Sequence, residues 1–232
     1  MTSRGTYTPE TTVVEGNVGM TLRVKGAAGG HSGMDIHKGL ANANKLMNRL
    51  LLEALDQVDL RVTSIQGGGL RNAIPRESTA VVVLAQADQA NLQAALQASG
   101  EVMKEEHALT DPDLQFEWED AKLPASVMSE EDQYALLLAI QCCPVGIHRM
   151  SPAIEGLVQT SNNLARVQVQ DGNVEIQCLN RSSVDSEKDD HARSIEAAFA
   201  LAGLQTEQSG AYPGWTPNPS SEAVKMLRDL YV

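Results

Sequence analysis

An α+β fold built on an antiparallel sheet is predicted by the order in which two apolar periodicities alternate. Runs of period two at Met20, Leu22 and Val24 and at Val58, Leu60 and Val62 mark strands, and steps of four and three at Leu40, Ala43, Met47, Leu50 and Ala54 mark a helix between them. A β-branched run from Thr79 to Ala85, a helical stretch from Gln89 to about Glu106 and an alternation at Leu114, Phe116 and Trp118 complete the order β-α-β-β-α-β. That is the split βαβ, or ferredoxin-like, arrangement, with both helices on one face of the sheet.

Each element has its own local cause. The first strand runs into Gly26-Ala-Ala-Gly-Gly-His-Ser-Gly33, where a loop belongs, and the long helix is expected to start at Ile36. Gly67-Gly-Gly69 ends the second strand. The second helix is expected to turn Leu92, Leu96, Val102 and Met103 inward. Leu123-Pro124 closes the first half.

Ser129 with Asp132 has the spacing of a capping box before the apolar run Tyr134 to Ile140, and Pro144 and Gly146 stop that helix. Ala165, Val167 and Val169, then Asp171-Gly172, then Val174, Ile176 and Cys178 read as a hairpin with a tight turn. Ser186 with Asp189 is expected to cap a helix carrying Ile195, Phe199 and Ala202, closed by Gly203, and Leu204 to Gln208 is a short last strand. The second half thus reads α-β-β-α-β and echoes the first as an internal pseudo-repeat. The expected units are residues 10–124, residues 125–211, and a connector with a returning helix at 212–232. That connector, Tyr212 to Pro219, holds three prolines, and the amphipathic helix after it meets the end of the chain at Val232 with nothing to pack on. The chain reads as cut there.

Composition narrows the function. Of 232 residues, 18 are Lys or Arg and 30 are Asp or Glu, a formal net charge of −12, which argues against a nucleic-acid or anionic-membrane partner. No stretch approaches the ~18 apolar residues of a membrane span, and Met1 to Glu10 lacks the pattern of a signal peptide. Cys142, Cys143 and Cys178 form neither a disulfide framework nor a metal knuckle, so a reducing, cytoplasmic setting is expected.

Common enzyme motifs are missing: no His-Glu-x-x-His, no Gly-x-Ser-x-Gly, no phosphate-binding glycine fingerprint. Three constellations could still carry chemistry. His31 in its glycine-rich loop could donate to an oxyanion, or could simply bond a neighbouring carbonyl. Asn72, between a triple glycine and Pro75, could reach a ligand carboxylate or serve only the turn. Arg181, at the end of the hairpin strand, could grip a carboxylate with two bonds or lie solvated at the surface.

Taken together, Lys25-Gly-Ala-Ala-Gly-Gly-His31-Ser-Gly33, Gly67-Gly-Gly-Leu-Arg-Asn72-Ala-Ile-Pro75, Thr160-Ser-Asn-Asn163 and Asn180-Arg181-Ser-Ser-Val-Asp-Ser186 resemble the lid domain of the Xaa-His (aminoacyl-histidine) dipeptidases, within the dizinc aminoacylase and carboxypeptidase superfamily. The resemblance runs from about Tyr7 through Trp215 to the end. It implies metal-assisted hydrolysis of an Xaa-His dipeptide by two zinc ions held in a separate catalytic domain, over which the lid closes. It also implies that His31 polarises the scissile carbonyl and that Asn72 and Arg181 hold the substrate carboxylate. The family's zinc-binding His, Asp and Glu segments do not appear here, so the chain is expected to hold no zinc and to be inactive alone. Partners expected from the resemblance are the missing catalytic domain and a second copy in a homodimer, unless the second half stands in for that copy. The competing reading is a free-standing ferredoxin-like module for dimerisation or small-ligand binding.

Overall fold

The computed structural model describes residues 1–215, 218 and 221–231. Two short strands, β1 (Thr2–Thr6) and β2 (Pro9–Thr11), precede the predicted first strand, which is β3 (Asn17–Lys25). There follow β4 (Gly30–His31), α1 (Ala43–Leu55), β5 (Leu60–Gly68), β6 (Ala73–Ile74), β7 (Ser78–Ala85), α2 (Gln89–Glu106) and β8 (Gln115–Ala121). The rest of the chain forms β9 (Ser126–Met128), α3 (Glu130–Cys142), β10 (Gly146–Met150), β11 (Val158–Gln170), β12 (Asn173–Ser182), α4 (Asp185–Ala200), β13 (Gln205–Glu207) and α5 (Glu222–Tyr231).

One antiparallel sheet carries the fold, in the order β13-β1-β12-β11-β5-β7-β3-β8, with β10 beside β11. Strands β3, β5, β7 and β8 alone have the ferredoxin-like order, the fourth strand beside the first and the third beside the second. The second half repeats that order through β1, β11, β12 and β13, with α3 and α4 as its two helices. Its first strand is therefore the N-terminal segment Thr2–Thr6, which lies between β12 and β13. The halves meet at equivalent strands, Arg166 to Val169 of β11 running antiparallel to Ile65 to Gly68 of β5. Antiparallel pairing of equivalent strands is what a two-fold axis generates.

Alternation sets the two faces. Met20, Leu22 and Val24 of β3, Val82 and Leu84 of β7, and Val167, Val169 and Ile176 of β11 and β12 are buried against the helices in one continuous core. The helices form a single layer, α1 touching both α2 and α3, and α3 touching α4. Intervening side chains on the other face pair as charges: Arg23 with Glu119, Lys25 with Glu117 and Arg166 with Glu175. Such exposed pairs contribute at most about 1 kcal/mol each, so burial of the helical face supplies the stability.

Several local expectations need correction. The first long helix does not start at Ile36: one 3₁₀ turn, Ile36–Lys38, ends at Gly39 in the left-handed region (φ 67°), and α1 starts afresh after Asn42, whose side chain caps it. The apolar spacing runs through both pieces, yet only α1 adds its residues to the main core; Ile36 is buried outside it. Val102 is 49% exposed, while Leu92, Leu96 and Met103 face inward as expected. Ser186 lies inside the first turn of α4; Val184 occupies the cap position without a side-chain bond, and Ser182 Oγ instead accepts from the Val184 N–H at 3.1 Å. At α3 the reading holds, Ser129 Oγ accepting from Asp132 N at 3.1 Å. Of the proline connector, Thr216, Pro217, Pro219 and Ser220 lie outside the described residues, as does Val232.

Candidate functional site

Two glycine-rich loops are knitted together beside the seam between the halves. Their short strands pair, Gly30 with Ile74 and His31 with Ala73, and Ser32 N donates to the Asn72 carbonyl at 2.8 Å. The loop from Gly26 to Gly33 and the turn after β5 are thus joined through paired backbone.

His31 is held at both its backbone and its ring. Its N–H donates to Asp35 Oδ2 at 2.7 Å and its carbonyl accepts from Asp35 N at 2.8 Å, while Lys38 pairs with the other carboxylate oxygen at 2.7 Å. The hydrogen bond from Lys38, then that from the His31 amide, holds the Asp35 carboxyl below the usual range. Nδ1 of the ring accepts from Gly33 N and Met34 N, both at 3.1 Å. A nitrogen that accepts twice carries no proton, so these partners assign the ring hydrogen to Nε2. The side chain is exposed, and that N–H is available as a donor. A histidine donating from Nδ1 to a neighbouring carbonyl would carry the opposite tautomer.

Arg181 comes from the other half. On β12, opposite Ser161 of β11, it donates through a guanidinium nitrogen to Ser32 Oγ at 2.6 Å. Gly33 marks where the two groups converge: a Cβ built there would stand 3.2 Å from His31 Cε1 and 3.3 Å from Arg181 Cζ. A Cβ at position 33 would require the His31 or Arg181 side chain to give by a few tenths of an ångström.

Asn72 sits in the turn before β6 with its side chain exposed. The turn is fixed from behind by Asn163 of β11, fully buried, whose Nδ2 donates to the Ala73 carbonyl at 2.8 Å and to that of Arg71 at 3.3 Å. Asn163 Oδ1 accepts from Asn42 Nδ2 at 3.3 Å, and Asn42 Oδ1 caps α1 by accepting from Asn44 N and Lys45 N. The structure thus brings His31, Asn72 and Arg181 into one region through Ser32, Asn42 and Asn163, three residues given no role on sequence grounds. Their signal was faint but present: Thr160 to Asn163 is a polar run inside a strand, and all four residues are buried. Polar residues are buried where they hold something in place.

Arg181, Gly33, Ser161 and Lys188 line a cleft of about 300 Å³, and His31 lines a broader groove of about 960 Å³ with Gly67, Gly68, Gly69 and Arg76. An N–H donor, a carboxamide and a guanidinium suit anionic or polarised oxygens. They do not suit zinc: His31 Nδ1 is taken by two backbone donors, Asp35 is taken by Lys38, and no group of three or more His, Cys, Asp and Glu converges among the described residues. The His31 and Asp35 cluster, with its donors already engaged, does not fit a dizinc centre.

Residues 22–110 match the family described as the peptidase dimerisation domain. Over 211 residues the chain is 38% identical to the cytosol non-specific dipeptidase of Escherichia coli (strain K12), covering 90% of this chain and 43% of that protein. Its fold matches the crystal structure of aminoacylhistidine dipeptidase from Vibrio alginolyticus with a TM-score of 0.93 at 37% identity, covering 99% of this chain and 47% of that one. The chain therefore spans less than half the length of these relatives.

Proposed function

We propose, for a chain that carries a peptidase dimerisation domain and shares its fold with part of an aminoacylhistidine dipeptidase, that it is the lid and substrate-clamping region of a longer zinc metallodipeptidase acting on Xaa-His dipeptides. His31 donates its Nε2–H to the scissile carbonyl and to the oxyanion formed when water adds. Arg181 and Asn72 hold the dipeptide's terminal carboxylate. The convergence of His31 and Arg181 on Gly33, with Nδ1 locked as an acceptor, carries this reading. It supports a reading in which a ring N–H donor and a guanidinium act on the same substrate, the guanidinium on its charged end.

The two zinc ions would be held by residues outside this chain and would supply the activated water. What these residues contribute is orientation of the substrate and donation at the oxygen. The repeated strand order supports a reading in which the second half takes the place of a second copy at this seam, with His31 acting within its own chain, and leaves a homodimer through another surface open to the full-length protein. The reading places the protein in the cytoplasm, in a full-length form that hydrolyses peptides, while these residues alone neither bind zinc tightly nor cleave dipeptides.

An immunoblot of the source cells with an antibody to this chain, beside a histidine-release assay of the pure chain with zinc, tests the reading. A native band well above 24.9 kDa and no release are expected. A band at that mass would favour a free-standing binding module, and zinc-dependent release by the pure chain would contradict the division of labour.

A further inference from the structure

The loop that carries His31 closes on one buried carboxylate that lies outside it. Asp111, 2% exposed in the turn after α2, accepts from Ala28 N at 2.8 Å through Oδ1 and from Ala41 N at 2.9 Å through Oδ2. Ala28 and Ala41 are the two ends of the segment containing His31, Ser32, Asp35 and the Ile36–Lys38 turn, so the carboxylate ties the neck of an Ω-shaped loop. The loop entrance rests on the same turn: a Cβ built on Gly26 (φ +77°) would stand 2.0 Å from the Asp113 carbonyl oxygen.

This is a costly way to hold a loop. A buried carboxylate is normally paired with a cation, yet the one ion-pair partner of Asp111 among the described residues is the His107 ring, its Nδ1 3.9 Å from Oδ2, beyond hydrogen-bonding range. Nor does the side chain serve its own turn, where the Asp111 N–H donates to the His107 carbonyl and the Asp111 carbonyl accepts from Leu114 N. Both carboxylate oxygens are spent on the two ends of the His31 loop.

We infer that Asp111 is a positioning residue for His31: by fixing both ends of the loop it keeps the Gly33 and Met34 amides aimed at Nδ1 and thereby keeps the ring proton on Nε2. This rests on the role proposed above for His31 and adds the residue that maintains it. Asp111→Asn is the informative change, since the amide has the same shape but turns an N–H toward one of the two backbone donors.

The test is ¹⁵N NMR of the His31 imidazole in the 232-residue chain, with amide hydrogen exchange read alongside. In the wild type the Nε2–H form dominates and Ala28, Ala41, Gly33 and Met34 exchange slowly. Asp111→Asn is expected to populate the Nδ1–H form and to speed exchange at Gly33 and Met34 by about tenfold or more, the scale of one lost charge-assisted hydrogen bond. Loss of stability alone would leave the tautomer unchanged in the folded fraction, so an unaltered His31 pattern in Asp111→Asn overturns the inference while leaving the donor role of His31 intact. A wild-type ring protonated on Nδ1 overturns the donor role itself. Should the variant not fold, free exchange at Ala28 and Ala41 in the wild type also overturns the inference, and protection of both supports it.

Discussion

Arg181 reaches back across 149 positions to donate a 2.6 Å hydrogen bond to the hydroxyl of Ser32, the residue next to His31. Ser32 is 1% exposed and its N–H is committed to the Asn72 carbonyl. One serine therefore joins the guanidinium to both loops of the candidate site. Neither half of the chain contains that site alone.

If Ser32 aims the guanidinium, its removal weakens substrate binding more than chemistry. In the complete enzyme Ser32→Ala is expected to raise KM about fivefold, the scale of one hydrogen bond of about 1 kcal/mol, with kcat nearly unchanged. Steady-state kinetics on an Xaa-His dipeptide decides it, and a fall in kcat at constant KM would place Ser32 elsewhere in the mechanism.

The seam between the halves depends on backbone contact. Gly68 has φ +71°, and a Cβ there would stand 1.9 Å from the Ala165 carbonyl oxygen, at the register shift of β11 against β12. Gly68→Ala is therefore expected to destabilise the chain by about 2 kcal/mol or more. Gly69 has open space around it, and Gly69→Ala should stay within about 0.5 kcal/mol. Urea melts of both variants give the comparison; equal stability would mean the seam tolerates a side chain at position 68.

His191 of α4 makes a pH dependence readable. It is 2% exposed, its Nδ1 lies 2.9 Å from Asn180 Oδ1, and it stacks on the exposed His148 ring at 4.3 Å. Burial first, and the facing His148 second, hold its pKa below 6.5, against the upward pull of Glu187 and Asp190. As pH falls below 6.5 the unfolded chain takes up this proton before the folded one, so the linked stability is complete above 6.5 and is lost as pH drops through the depressed folded value. His148→Ala should move the His191 titration upward in ¹H NMR and shrink that loss. An unmoved or lowered titration would show that the stacked ring plays no part.

What could be read from the sequence follows from the range over which each signal acts. The hairpin around Asp171-Gly172 and the bounds of α2 rest on neighbours a few residues apart, and both stand in the structure where periodicity placed them. Strand β1, Thr-Ser-Arg-Gly-Thr, has no apolar alternation, because it forms only when β12 and β13 offer their edges to it. The break at Gly39 was hidden by apolar residues continuing on both sides of it. His31, Asn72 and Arg181 stood out as residue types in suggestive surroundings, and Asn163 only as part of a polar run, whereas Asp111 did not: it accepts from the Ala28 and Ala41 backbone amides, which leave no trace in a side-chain pattern.

The central claim is that His31 acts on charge that develops during the reaction while Arg181 acts on charge the substrate already carries, and a kcat against KM comparison of two variants of the proposed full-length dipeptidase tests it most directly. His31→Ala is expected to lower kcat by about a hundredfold or more with little change in KM, and Arg181→Ala to raise KM while kcat falls much less. A His31→Ala enzyme with full kcat and only a raised KM, matching Arg181→Ala, would contradict the account and reduce His31 to one more substrate-binding group.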